Sequence, residues 1–302
     1  MRSLSILLLT VLTGCLQTTD ELSPDALPID RVSRPYVICF ISPQDTVLAA
    51  KVAMSEPAIV RSFEPTLVVD DAVVTLSDSI RSIQLQYDSN LRYYRASPSA
   101  LFPIRAGVTY QLRVQMGEGR SVTARATVPP AVPIARAAFD STVTENTAGS
   151  RLSTYQTSIF WNSPPVPASP GGFNYYRGWG EVEQHLIDRT TGLIVERRFS
   201  QPSFSVDREI SQPGALRLMT GLHAVESPPN TVVRTKRVRV GLFAIDVNYY
   251  RYQAALAEQF TNAGQSFAES TVLFSNIDGG YGVFGAYNAS YLTLTGKDLR
   301  PR

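Results

Sequence analysis

The chain has 302 residues, 44% hydrophobic and 18% charged, with a formal net charge of +2. That length and apolar fraction allow two packed cores, and the near-neutral balance argues against nucleic acid as a partner. One of its two cysteines falls inside an export signal, so the mature chain has no intramolecular disulfide to form.

Residues 1–15 read as that signal. Arg2 precedes an apolar run shorter than the ~20 residues a membrane-spanning helix needs. Its end, Leu12-Thr13-Gly14-Cys15, has the form of a bacterial lipobox. Small residues there fit the lipoprotein signal peptidase, and the Cys15 thiol takes the diacylglycerol. The expected product is a body on a lipid leash, each buried methylene adding ~0.8 kcal/mol of anchoring. Residues 16–33 follow as a flexible tether, acidic and interrupted by Pro24 and Pro28. Asp20-Glu21 within it reads either as a surface-export signal or as a solvated acid pair.

Residues 34–133 are written in strands and turns at the spacing of a small β-sandwich. Strands are expected at 36–41, 46–54, 73–76, 80–87 and 91–96. Cys39 lies in the apolar run Tyr36 to Ile41, which marks it as a buried, inert thiol. Residues 109–116 alternate, with Tyr110, Leu112, Val114 and Met116 inward. Gly117-Glu118-Gly119 turns the chain, and Val122, Ala124, Ala126 and Val128 repeat the pattern, predicting an antiparallel hairpin. Pro129-Pro130 ends it. The Val69 to Leu76 step followed by Arg105-Ala106-Gly107-Val108-Thr109-Tyr110 resembles prealbumin-like and fibronectin-like modules, a likeness of fold alone.

A second β region occupies 134–302. Strands are expected at 153–161, 173–188 and 193–199, with a Pro/Gly loop at 163–172 that is too long for a simple turn. The basic run 234–239 reads as the start of a strand in which Val238, Val240, Leu242 and Ala244 share the inward parity. The period then changes from two to helical over about 247–263. Asp246 is the N-cap, Asn262-Ala263-Gly264 the stop, and Leu256 and Phe260 the packing anchors. Asp278-Gly279 reads as a tight turn, and Val283 to Leu294 as a closing strand. Gly279-Gly280-Tyr281-Gly282 therefore supplies turn and bulge glycines rather than a dinucleotide loop, which would have to open a helix. The fold expected is mainly all-β: two β-sandwich-like domains, the first prealbumin- or Ig-like, the second carrying one amphipathic α-helix.

Chemistry-bearing constellations are sparse. His185 and His223 lie far apart, with no Cys or second His at ligand spacing, so no metal and no cofactor is expected. His185 reads as part of a solvated strand face, with Glu181 and Glu183 on its parity and Glu183 as the alternative, a partner for it. No nucleophile-elbow pattern supports a Ser-His-Asp triad. Aromatic residues come in clusters, among them Tyr175-Tyr176 with Trp179 and Tyr249-Tyr250-Tyr252. Such clusters serve as platforms for sugar rings or peptide partners, or simply as strand residues with one of each adjacent pair buried. The platform reading singles out Tyr176, Arg177 and Trp179 for ligand or partner contact.

Several short motifs, in their order, resemble one family. They are the lipobox, residues 68–76 and 103–110, Asn174-Tyr175-Tyr176-Arg177, Ile245-Asp246 running to Tyr252, and residues 276–286. The resemblance is to Bacteroidota outer-membrane lipoproteins carrying a domain of unknown function, typically encoded beside TonB-dependent receptors. It implies an outer-membrane, lipid-anchored protein, facing the periplasm or the outside, that is not an enzyme. On this reading it assists a TonB-dependent transporter in nutrient uptake, with a small molecule, glycan or peptide as cargo. Two other readings stay open: a structural or adhesive surface protein, and a carbohydrate-active enzyme, which would need paired carboxylates in an aromatic cleft.

Overall fold

The first half of the body is built from β1 (Pro35–Ile41), β2 (Leu48–Met54), β3 (Val73–Ser77), β4 (Ser82–Asp88), β5 (Tyr93–Ala96), β6 (Thr109–Gln115) and β7 (Ser121–Thr127). Alternation produces them, because successive side chains of a strand point to opposite faces. β1 buries Val37, Cys39 and Ile41; β6 buries Tyr110, Leu112 and Val114; β7 buries Val122, Ala124 and Ala126. The β6–β7 hairpin forms as its sequence predicts, with Glu118 at φ 60 in the turn. This computed structural model describes residues 33–55, 67–99, 101–145, 150–165, 172–204, 208–262 and 273–299. Cys15, nearly all of the tether, residues 166–171 of the Pro/Gly loop and the predicted helix stop at Ala263 and Gly264 lie outside them.

The second half comprises β8 (Ile134–Glu145), β9 (Arg151–Ser163), β10 (Asn174–Asp188), β11 (Ile194–Ser200), β12 (Arg208–Ile210), β13 (Gly214–Met219), β14 (His223–Ser227), β15 (Thr231–Ile245) and β16 (Tyr281–Thr295). Helix α1 (Val247–Asn262) follows β15 with only Asp246 between them. The protein is thus mostly β with a single α-helix among the described residues. β8, β13 and β14 surround β9 in a four-stranded sheet.

One sheet path runs β11-β10-β15-β16-β1-β2-β5-β4-β3-β6-β7, with β12 added on β10. Its centre is the parallel pairing of the first strand with the last, Tyr36 opposite Tyr281 through Ile41 opposite Ala286. Gly282 makes that pairing possible. It sits at φ 107, and a Cβ there would lie 2.0 Å from the Val37 carbonyl oxygen. The N-terminal end of the path curls until β7 meets the approach to β16, where Thr123 and Asp278 exchange backbone hydrogen bonds of 3.2 and 2.8 Å. Two buried clusters result. The first collects β1 to β7 with Phe284 and Ala286 of β16. The second lies between the four-stranded sheet and β10-β15-β16, from Tyr155, Ile159 and Trp161 to Val238, Val240 and Leu294. β16 therefore contributes to both.

The helix departs from its sequence reading in how it packs. Asp246 caps it as expected, its Oδ1 accepting the Tyr249 N–H at 2.8 Å. Packing is confined to the first turns, however. Tyr249 lies against Phe40, with ring centroids 4.5 Å apart, and Tyr252 is buried with its hydroxyl 2.9 Å from that of Tyr36. Leu256 is only half-buried, and Phe260 is 74% exposed. Leu256 and Phe260 are not the anchors; Tyr249 and Tyr252 are. Helical period locates a face, but only the length of sheet beneath the helix decides how much of that face is covered.

Candidate functional site

Strand parity divides the predicted contact residues. Tyr176 points into the second core, 1% exposed, where its ring meets Trp161 edge-on and its hydroxyl lies 3.0 Å from Ser163 Oγ. Burial raises its phenol pKa. Arg177 and Trp179 stand on the opposite face of β10, half-buried. The structure thus brings Arg177 and Trp179 together and withdraws Tyr176, as the alternation of β10 by itself requires.

The face that Arg177 and Trp179 share is assembled by register. Arg177 is opposite Phe243 of β15, and Phe243 opposite Ala289 of β16; Trp179 is opposite Gly241, and Gly241 opposite Tyr291. Gly241 leaves space that its neighbours fill: a Cβ there would come within 2.9 Å of the Phe243 ring and 3.0 Å of the Tyr291 ring. Trp179 and Tyr291 meet perpendicularly across it at 5.9 Å. The rings continue through Tyr291–Phe243 at 6.0 Å, Phe243–Tyr287 at 5.3 Å and Tyr287–Tyr249 at 6.1 Å to the foot of the helix. Arg239 lies 4.5 Å from the Tyr291 ring centre and 5.7 Å from that of Trp179, and Arg177 lies 5.8 Å from that of Tyr249. These are cation–π distances. Arg239, Phe243, Tyr287 and Tyr291 were legible as site residues only through the outward parity of their strands.

One edge of the ring series is pinned by the β1–β2 connection. Tyr287 donates to Asp45 Oδ1 at 2.8 Å, and the Ala289 N–H donates to Gln44 Oε1 at 3.0 Å. Burial raises the Asp45 carboxyl pKa despite the Tyr287 hydrogen bond; burial and the adjacent Asp45 push the Tyr287 phenol well above its ordinary range. At the other end, Arg237 lies 3.3 Å from Glu183 and 3.6 Å from Glu181, and Glu183 is 3.1 Å from His185 Nε2. His223 instead stacks on Tyr155, at 5.6 Å between centroids. Among the described residues, no group of three or more His, Cys, Asp or Glu converges as a metal site. The arrangement offers aromatic planes interleaved with guanidinium groups, held on three long strands. It suits recognition of another surface by stacking, apolar contact and hydrogen bonds.

Two concavities flank this face. A cleft of about 890 Å³ opens between the four-stranded sheet and the far end of β15. A smaller one, about 330 Å³, lies at the junction of the two cores and includes Asp246 and Tyr175 in its wall.

The sequence profile of the family described as "Domain of unknown function (DUF4249)" matches residues 20–292, and the chain belongs to that family. No curated protein matches the chain. Among solved structures it is similar, at 8% identity, to one described as "Biofilm associated protein - B domain", over 88% of this chain and 86% of that one, with a TM-score of 0.16. A "Biofilm associated protein - BSP domain" matches at 7% identity over 89% and 60%, with a TM-score of 0.16. A penta-heme cytochrome c552 from Thermochromatium tepidum matches at 14% identity over 52% and 39%, with a TM-score of 0.13. Likenesses at such scores carry no argument about fold or function.

Proposed function

We propose that the protein is an outer-membrane lipoprotein, anchored through Cys15, that acts as a non-enzymatic binding accessory to a TonB-dependent transporter in nutrient uptake. The observation that supports a docking role is the outer face of β10-β15-β16. There Trp179, Tyr291 (43% exposed), Arg177 and Arg239 form one interleaved patch. Trp, Tyr and Arg are the side chains that most often dominate binding at protein interfaces. Trp and Tyr bring large area at little rotamer cost, and Arg brings a planar fork of hydrogen-bond donors. The lipobox, the acidic tether and the resemblance to Bacteroidota lipoproteins encoded beside such receptors supply the rest of the reading. No helix among the described residues is long and apolar enough to cross a membrane.

Co-purification from detergent-solubilised membranes of a Bacteroidota host tests it. The wild-type lipoprotein is expected to carry a TonB-dependent receptor with it. The pair Trp179→Ala and Tyr291→Ala should reduce that recovery at least tenfold, while Phe260→Ser on the projecting part of the helix retains it. Repeated recovery of the wild type with no receptor counts against the reading.

A further inference from the structure

The large cleft has an unusual wall. Five consecutive residues of β15, Val233, Arg234, Thr235, Lys236 and Arg237, all border it. Consecutive lining residues are what a free edge or a bulge presents, and the register places both here. The register explains why the edge is open. β16 pairs with β15 only as far as Thr295 opposite Arg237, then leaves the sheet through Gly296, at φ 55, into a short 3-10 turn. β15 continues to Thr231, paired only with β10 on its other side. Residues 231–236 therefore have no neighbouring strand on the cleft side among the described residues. The part of this edge that borders the cleft, residues 233–236, is roughly 13 Å long at the rise of a β-strand.

The opposite wall is a face. Phe139, Ser141 and Val143 of β8 line it at alternate positions, joined by Ser153, Thr154 and Tyr155 of β9. Where β10 passes the cleft, the ladder to β15 shifts register between Glu183 and Gln184, leaving Lys236 as the extra residue of a bulge. Bulges re-aim side chains beside binding sites. Gln184, in the ladder step after the shift, is 3% exposed and borders the cleft. Of the cations at the rim, Arg237 is held by Glu181 and Glu183, whereas Arg234 and Lys236 are exposed and in no ion pair among the described residues.

We propose that this cleft takes an extended acidic peptide segment of a partner protein, which adds as a strand to the free edge of β15. The backbone of residues 233–236 supplies the ladder, and Phe139, Val143 and Tyr155 receive alternate apolar side chains. Arg234 and Lys236 face the acidic ones. A lysine on an edge also discourages pairing with a second copy of the same edge, so the cleft is selective for the opposite charge. At about 890 Å³ it lies near the upper end of ordinary ligand sites, as a segment of several residues requires. It opens at the Thr295 end of β16, up to ~45 Å along the strand from Tyr281, beside which β1 enters the body. That places it far from the N-terminal attachment. The proposal does not depend on the transporter reading, since the edge and the aromatic face are different surfaces.

Fluorescence anisotropy on the folded body tests it, with a labelled ten-residue peptide alternating glutamate with valine and threonine. Three further probes are the same peptide N-methylated at alternate backbone nitrogens, a lysine-for-glutamate version, and polygalacturonate. The acidic peptide should saturate below about 1 mM and protect from hydrogen exchange those amides of residues 233–236 that point away from β10. N-methylation, Lys236→Glu and Arg234→Glu should each weaken it at least tenfold, with unchanged circular dichroism for the two variants. Equal binding of the N-methylated peptide would overturn strand addition. Binding of polygalacturonate but not the peptide would overturn the peptide assignment, and saturation by none of the probes would overturn the site.

Discussion

Asp246 stands where β15 stops and α1 begins, and its two carboxyl oxygens have different surroundings. Oδ1 accepts the Tyr249 N–H at 2.8 Å, whereas Oδ2 is buried without a donor at hydrogen-bonding geometry. Burial raises the carboxyl pKa from 3.8 to about 7, and the backbone amides of Tyr249, Ala286, Thr127 and Asn248 offset it only in part. An acid whose folded pKa lies above its unfolded one stabilises the fold most below the unfolded pKa. That contribution is lost as pH rises through the folded value. For Asp246 the window runs from about pH 4 to pH 7, and between pH 5 and pH 8 the loss comes to roughly 2–3 kcal/mol. Asp246→Asn keeps a capping oxygen and cannot ionise. Denaturant midpoints of variant and wild type at pH 5 and pH 8 should therefore shift relative to one another by that amount, in favour of the variant at pH 8. Parallel pH profiles would show that Asp246 does not titrate in this range. The buried Cys39 thiol, pushed up to about 12 mainly by burial, adds no titration there.

At the scale of elements, the helix shows how far a periodic pattern can be read. Its start was legible because an N-cap carboxylate and a change of period coincide at Asp246. Its packing was not, because the sequence does not say where the sheet beneath it ends. A helix of 16 residues is about 24 Å long. Only Tyr249 and Tyr252 reach Phe40 and Tyr36, leaving Phe260 in solvent. Phe260→Ser should change stability by less than about 0.5 kcal/mol, as for exposed surface positions. Tyr252→Ala should cost roughly 3 kcal/mol or more, and Tyr252→Phe about 1 kcal/mol for the hydroxyl pair with Tyr36. Urea midpoints would rank the three, and a large loss for Phe260→Ser would return the anchor role to it. The same contrast holds at the aromatic face. Parity alone separates Tyr176 from Arg177 and Trp179 on β10, so that division was available from sequence. The meeting of Trp179 with Tyr291 across Gly241 was not, since it depends on the registers of β10 with β15 and β15 with β16.

For the whole molecule, the least legible feature is the pairing of the first strand with the last. β1 and β16 are each readable from alternation, but nothing local says that residues about 245 positions apart lie side by side in parallel. The requirement appears in sequence only as Gly282, a glycine inside a strand, which marks a bulge or a close backbone approach. That pairing makes β16 a common member of the two cores, with Phe284 and Ala286 in one and Leu294 in the other. A chain held this way should lose both cores together. The probes are already in place: Trp161 and Trp179 lie in the second half and Cys39 in the first core. In a chain beginning after Cys15, tryptophan fluorescence and labelling of the Cys39 thiol should report one denaturant midpoint. Gly282→Ala drives a methyl into the Val37 carbonyl and should lower that midpoint by several kcal/mol in stability. If the cores are instead independent, the two probes will separate, and Gly282→Ala will move Cys39 labelling while leaving the tryptophan transition where it was. Coincident midpoints that shift together would establish β16 as the element that makes the two cores one cooperative unit.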